Sequence, residues 1–237
     1  SAAQYVLGKL YQDGVYFNKD MDQAMKWFRS AAELGNEYAA YRMGCLLLLG
    51  EEIPKDVEAA VKWLSLSAEK GNPYAQYRLG MLYLKGEEFS PQVEVAMKWL
   101  QQAAEQKNEW AFYQLGKLYL SGEHVTKNVE TAVHYLGLCA EKGNQYAQYA
   151  LGKLYLCGRD VSRDREKAVE YLTASAEQGN LYASFLLEHL DAYQDPSLFL
   201  AATRLLHHLE KLFCEEVQRP MEMKRYQIDR KRRRKLS

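Results

Sequence analysis

Asn144 to Gly158 reads NQYAQYALGKLYLCG, and the same pattern returns at a fixed interval through most of the chain. Gly8, Gly44, Gly80, Gly116 and Gly152 lie 36 residues apart, as do Gly14, Gly50, Gly86, Gly122 and Gly158. A constant period of about 20–50 residues marks a stacked array, in which each repeat buries its apolar face only against its neighbours. The 237 residues would suffice for two globules, but an unbroken period predicts a single elongated body of helical hairpins.

Each repeat reads as two helices. The first opens at Asn36, Asn72, Asn108, Asn144 and Asn180, where an Asn side chain can accept from the unpaired amides of the first turn. Pro73 directly after Asn72 suits a first helical position, which has no intrahelical amide bond to lose. The helix runs to Gly50, Gly86, Gly122 or Gly158, since glycine accepts the left-handed turn that ends a helix. A short polar loop follows, and Asp20, Asp56, Asn128 and Asp164 cap the second helix, with Gln92 a poorer cap in the third repeat. Gly35, Gly71, Gly143 and Gly179 end it, whereas Lys107 takes that place once. A side chain there should cost on the order of 1 kcal/mol if the left-handed turn is kept.

Spacing assigns the buried faces. Ala3, Leu7, Leu10, Tyr11 and Gly14 make one apolar stripe of the first helix, at the separations expected of an amphipathic helix. Ala24, Trp27, Phe28 and Ala31 make its counterpart on the second, with Trp63 and Trp99 repeating the tryptophan and Tyr135 and Tyr171 replacing it. Gly8 and its equivalents should let another helix approach closely. The sixth repeat degenerates, with Glu188 at the glycine position and Asp191 at a tyrosine position; a charge where the next helix would press in makes further stacking unfavourable. We expect the repeats to span 1–193 and a capping helix 194–219, its core Pro196 to about Val217. A basic tail or linker fills 220–237.

Composition narrows the classes. Apolar residues are 48% and charged residues 26% of the chain, ordinary for a folded protein. No run approaches the ~18–20 apolar residues of a membrane helix. Four cysteines share no repeat position, so reduced thiols and a cytoplasmic location are expected. Ser1 falls where Glu37 stands one repeat later, and we expect the chain to be cut from something longer. Formal net charge is zero, but from Met221 onward eight Lys/Arg face only Glu222 and Asp229. The tail is therefore +6 and the remaining body, with 23 basic and 29 acidic residues, is −6.

The pattern of Ala75, Tyr77, Leu79, Gly80, Leu82, Tyr83 and Gly86, then Ala96, Trp99, Ala103, Ala104 and Glu105, resembles the Sel1-like repeat, a relative of the tetratricopeptide repeat. The resemblance covers residues 1 to about 187. It implies an all-α fold, a right-handed α-solenoid closed by a C-terminal capping helix, serving as a scaffold for protein or peptide ligands. A narrower resemblance links PSLFLAATRLLHHLEKLF and IDRKRRRKL, within Pro196 to Ser237, to the C-terminal region of plasmid-mobilising relaxases. That resemblance implies a bacterial origin, a role in conjugation, and an accessory domain whose tail contacts DNA.

Two varying rows of the first helix are the candidate binding surface. Tyr38, Tyr74, Trp110 and Tyr146 form one, and Lys9, Cys45, Met81, Lys117 and Lys153 the other. Rows 2, 5, 9 and 12 of each repeat, counted from the capping Asn, are placed opposite the core stripe by the helical period. In related two-helix arrays the equivalent face lines a concave groove. Tyr and Trp bury large areas while keeping a polar tip, which favours them as anchors; the lysines would suit an acidic partner. The rows of Tyr41 and Leu48 barely vary and fit packing between repeats. Arg230, Lys231, Arg232, Arg233, Arg234 and Lys235 form a basic run that can meet nucleic-acid phosphates without sequence preference, dock on the acidic body, or stay solvated.

Chemistry finds little footing. The adjacent His207 and His208 point apart on a helix, His124 and His134 have no ligand partner at usable spacing, and the glycines belong to the repeat rather than to a phosphate loop. The sequence therefore predicts no enzyme, no metal and no cofactor.

Overall fold

A computed structural model describes residues 1–86, 88 and 90–190. These form α1 (Ala2–Asp13), α2 (Met21–Glu33), α3 (Glu37–Leu49), α4 (Val57–Glu69), α5 (Pro73–Lys85), α6 (Val93–Glu105), α7 (Glu109–Ser121), α8 (Val129–Glu141), α9 (Gln145–Cys157), α10 (Arg165–Glu177) and α11 (Leu181–Glu188). No strand occurs among the described residues. The chain divides into two units, Ser1–Gln148 and Tyr149–Ser237, and each is taken by itself.

In the first unit each helix packs on its predecessor and successor, giving four consecutive hairpins. Local chemistry sets their ends. Asn36, Asn108 and Asn144 accept from the backbone amides of Ala39, Ala111 and Ala147 at 2.9–3.0 Å, and Asp20, Asp56 and Asn128 do the same for the second helices. Gln92 makes no side-chain cap bond. The turn out of each second helix pairs two amides with carbonyls of the last turn: Gly35 N–H reaches Ala32 O at 2.9 Å and Asn36 N–H reaches Ala31 O at 3.0 Å. This double bond pattern needs a left-handed residue. Lys107 adopts φ +62° to satisfy it, so the strained geometry is retained without glycine.

The seam within each hairpin is close-packed. A Cβ placed on Gly80 would sit 2.7 Å from Leu100 Cγ and 3.2 Å from the Ala96 carbonyl oxygen. Ala39, Ala75 and Ala111 are fully buried, as are Phe28, Leu64, Leu100 and Leu136. The tryptophans stand one residue away from this seam. Trp63 and Trp99 are only half-buried and press sideways on neighbouring clusters, so the residues following the tryptophans are the true core positions. Side-chain bonds bind the helices further. Ser67 Oγ donates to Glu37 O at 2.7 Å, and Cys139 Sγ takes the equivalent place on Glu109 O at 3.4 Å. Gln76 Nε2 reaches across to Ala68 O at 3.1 Å.

In the second unit Gly152 lies against Leu172 as Gly80 does against Leu100, and Leu156, Ala168, Leu172, Ala183 and Leu186 form a cluster. Tyr171 stacks on Tyr155 with ring centroids 6.2 Å apart. Helix α11 ends at Glu188, which is exposed. Asp191, the expected capping helix and the basic tail lie outside the described residues.

Candidate functional site

Tyr38, Tyr74, Trp110 and Tyr146 sit in the first turn of α3, α5, α7 and α9, two residues after the capping Asn. The caps hold them there: Asn72 Oδ1 accepts from Tyr74 N–H and Asn144 Oδ1 from Tyr146 N–H, each at 3.0 Å. All four side chains are 51–52% exposed. Each of three leans on a tyrosine of the repeat before it. Tyr38 rests on Tyr5 at 6.4 Å, Tyr74 on Tyr41 at 6.2 Å and Tyr146 on Tyr113 at 6.3 Å, with planes tilted by 42–47°. Edge-tilted pairs at these separations are favourable ring geometries, so the row is propped on one side and open on the other.

The second row behaves differently from repeat to repeat. Lys9 and Met81 are half-buried and Lys117 is exposed. The Lys117 ammonium lies 5.7 Å from the centre of the Tyr113 ring, a cation–π contact. Lys153 belongs to the second unit and is poised 5.8 Å over Tyr149. Tyr41, Cys45 and Leu48 do not point away from the core: they pack on the cluster of Leu64, Ala68, Ala75 and Leu79. Leu84 and Leu156, in the row of Leu48, are buried. The Tyr41 and Leu48 rows thus pack between repeats, as their constancy suggested, whereas the helical period alone had set all four rows opposite the core; the Cys45 row is partly packed as well. An inner helix is touched by its own partner and by the next hairpin, which leaves room for only a narrow outer strip.

Reading by period passed over Arg42 and Arg78. Arg78 is exposed and brings its guanidinium within hydrogen-bonding reach of the Tyr41 hydroxyl, close to Cys45 and Tyr77. A hollow of about 180 Å³ opens beside it, lined by Cys45, Leu48, Met81, Lys85 and Glu88 among others. Nothing in the repeat marks position 6, which reads Val6, Arg42, Arg78, Gln114 and Ala150. Its variability on a half-open face was the one available signal. Burial pushes the Tyr41, Tyr77 and Tyr113 hydroxyls to a pKa above the usual phenol value, so these rings stay neutral hydrogen-bond partners near neutral pH.

The thiols are free at Cys45, Cys139 and Cys157. Burial, followed by the Glu109 carboxylate, pushes the Cys139 thiol up to about 11, which disfavours the thiolate a nucleophile needs. No group of three or more His, Cys, Asp or Glu side chains that could hold a metal occurs among the described residues. Among the same residues no helix is long and apolar enough to cross a membrane. Arg230 to Lys235 lie outside the described residues.

The Sel1 repeat family matches residues 1–36, 37–72, 73–108, 111–144 and 145–180. The chain is 32% identical to c5321, a protective antigen of uropathogenic Escherichia coli strains with an SLR fold, at a TM-score of 0.75. That alignment covers 82% of this chain but 43% of c5321, so the chain spans less than half of that relative's length. A Sel1 repeat protein from Oxalobacter formigenes is 30% identical, with 86% and 87% of the two chains covered and a TM-score of 0.72. The immunity protein PA5088 from Pseudomonas aeruginosa, 23% identical over 83% of this chain and 71% of its own, shares the fold at a TM-score of 0.52. No curated protein matches the chain. Five consecutive matches and two relatives at 30% identity or above place the chain among the Sel1 repeat proteins, whose hairpin arrays generally mediate protein–protein interaction.

Proposed function

We propose that the first-helix face of Ser1–Gln148 holds a segment of a partner protein, with Tyr38, Tyr74, Trp110 and Tyr146 as anchors. Lys9, Met81 and Lys117 border the same strip, and Lys153 would make the equivalent contact within its own unit. The observation that carries this reading is the repetition of a half-exposed ring at one station of four successive first helices. Packing alone would bury such a row, and large rings kept in solvent at a regular step are favoured where a partner covers them. Tyr38, Tyr74 and Tyr146 are braced from behind by tyrosines of the preceding repeat, so little further order is lost there on binding.

Selection of a random peptide library on the immobilised chain tests this. Peptides that bind the unaltered chain should bind Trp110→Ser or Tyr74→Ser roughly tenfold more weakly by titration, the loss typical of a hot-spot ring. Selected peptides indifferent to every anchor substitution would overturn the proposal.

A further inference from the structure

The first-helix face carries a charge opposite to that of the body it belongs to. Without the tail the body is −6, yet the middle turns of α1, α3, α5 and α7 present Lys9, Arg42, Arg78 and Lys117 and no acid. The acids of these helices stand at their ends: Asp13, Glu37 and Glu109. Several cations at the loop edges and helix ends are matched. Lys19 pairs with Glu52, Lys55 with Glu88, and Lys142 with Glu109. Among the described residues no carboxylate pairs with Lys9, Arg42, Arg78 or Lys117.

Arg78 is the most developed of the four. Its near neighbours are the hydroxyls of Tyr41 and Tyr77, which burial keeps protonated, and the side chain of Cys45; none is a carboxylate. Among the described residues lining the adjoining hollow the one acid is Glu88, which Lys55 engages. Apolar Leu48, Met81 and Leu82 line the same hollow. A planar guanidinium held at one edge has donors left for a second acceptor, and carboxylate matches its fork in two bonds.

We infer that Arg78 and the hollow beside it form a carboxylate subsite on the partner-binding face. It takes an Asp or Glu side chain of the bound segment and lays a neighbouring apolar side chain over Leu48 and Met81. The partner is thus an acidic segment interspersed with apolar residues. The chain's own run Arg230–Lys235 has the wrong sign for this strip. This inference rests on the first-helix face being the binding face, and the two can fail separately.

The peptides selected above supply the probe. The enriched pool should be richer in Asp and Glu than the starting library. Each selected peptide is then made again with its acids replaced by the matching amides. The amide versions should bind the unaltered chain about tenfold more weakly, with the gap narrowing at raised salt. On Arg78→Gln acid and amide versions should bind alike, while Arg78→Lys should restore part of the preference and Arg29→Gln on α2 should leave it intact. Equal binding of acid and amide peptides to the unaltered chain, or a preference that survives Arg78→Gln, overturns the subsite. If Trp110→Ser weakens both peptide forms and Arg78→Gln alters neither, the aromatic strip stands and the subsite falls. If no peptide is selected, or none depends on the anchors, both fall.

Discussion

The seam inside each hairpin and the strip along the first helices are built from the same stretches of sequence, one residue and about 100° of rotation apart, and they obey different constraints. On the seam, Ala39, Ala75 and Ala111 recur without change and are fully enclosed, as are Leu64, Leu100 and Leu136 facing them. On the strip, position 9 changes from Lys9 to Cys45, Met81 and Lys117 within four repeats, while a half-exposed ring persists at position 2. The seam must fit a neighbour made by the same chain, so each repeat solves one packing problem in one way. The strip need only avoid disturbing that solution, and its residues are free to be matched to another molecule. Charge follows the division: the loop-edge lysines Lys19 and Lys55 meet glutamates of the next repeat, whereas Lys9, Arg42, Arg78 and Lys117 on the strip meet no carboxylate among the described residues.

Cutting the seam should do most damage. Leu100→Ala removes a fully buried side chain and should cost about 2–5 kcal/mol in denaturant unfolding. Trp63→Ala, at a half-buried site, should cost less than Leu64→Ala, and the reverse order would blur the line between seam and flank. Gly80→Ala drives a methyl against Leu100 and the Ala96 carbonyl, which should cost about 1–3 kcal/mol by the same measurement.

A seam end can also be improved. Lys107→Gly relaxes the one non-glycine residue held at positive φ among the described residues and should raise stability by about 1 kcal/mol. Substitution on the strip should barely register in folding. Trp110→Ser should shift stability by no more than about 0.5 kcal/mol, while selected peptides lose affinity; a large loss of stability would make the ring structural and erase the distinction.

The thiols sharpen the same contrast at smallest scale. In a Cys214→Ser background, alkylation of the native chain should reach Cys45 on the strip before Cys139 on the seam. The Cys139 thiol ionises near 9.0 when unfolded and at about 11 in the fold. The folded state therefore holds the proton more tightly. Its contribution to stability is complete below pH 9 and fades as pH rises from 9 toward 11, and Cys139→Ser should flatten that decline.

The rotation of each helix about its axis was harder to read than its extent. Trp63 and Leu64 are one residue and about 100° apart on the helical wheel; periodicity put both on the core face, yet only Leu64 is fully enclosed. The wheel alone sets Leu48 opposite the core because it counts one partner; the constancy of its row pointed to packing between repeats, and α3 indeed has α2 and α4 beside it and the α5 cluster against its outer rows. Arg78 was hard to read because position 6 varies from repeat to repeat, and a residue that departs from the period is invisible to a reading made by period.

The sequence alone determined the hairpin register: where helices begin at Asn36 or Asp56, where they stop at Gly50 or Gly71, and that Gly80 admits a close neighbour. Those features depend on backbone amides, carbonyls and the absence of a Cβ, which act within a few residues of themselves and repeat every 36. The tertiary structure decided which rows remain in water and which cations go unmatched. Exposure and charge pairing are properties of surfaces brought together from distant parts of the chain, and no single helix contains them.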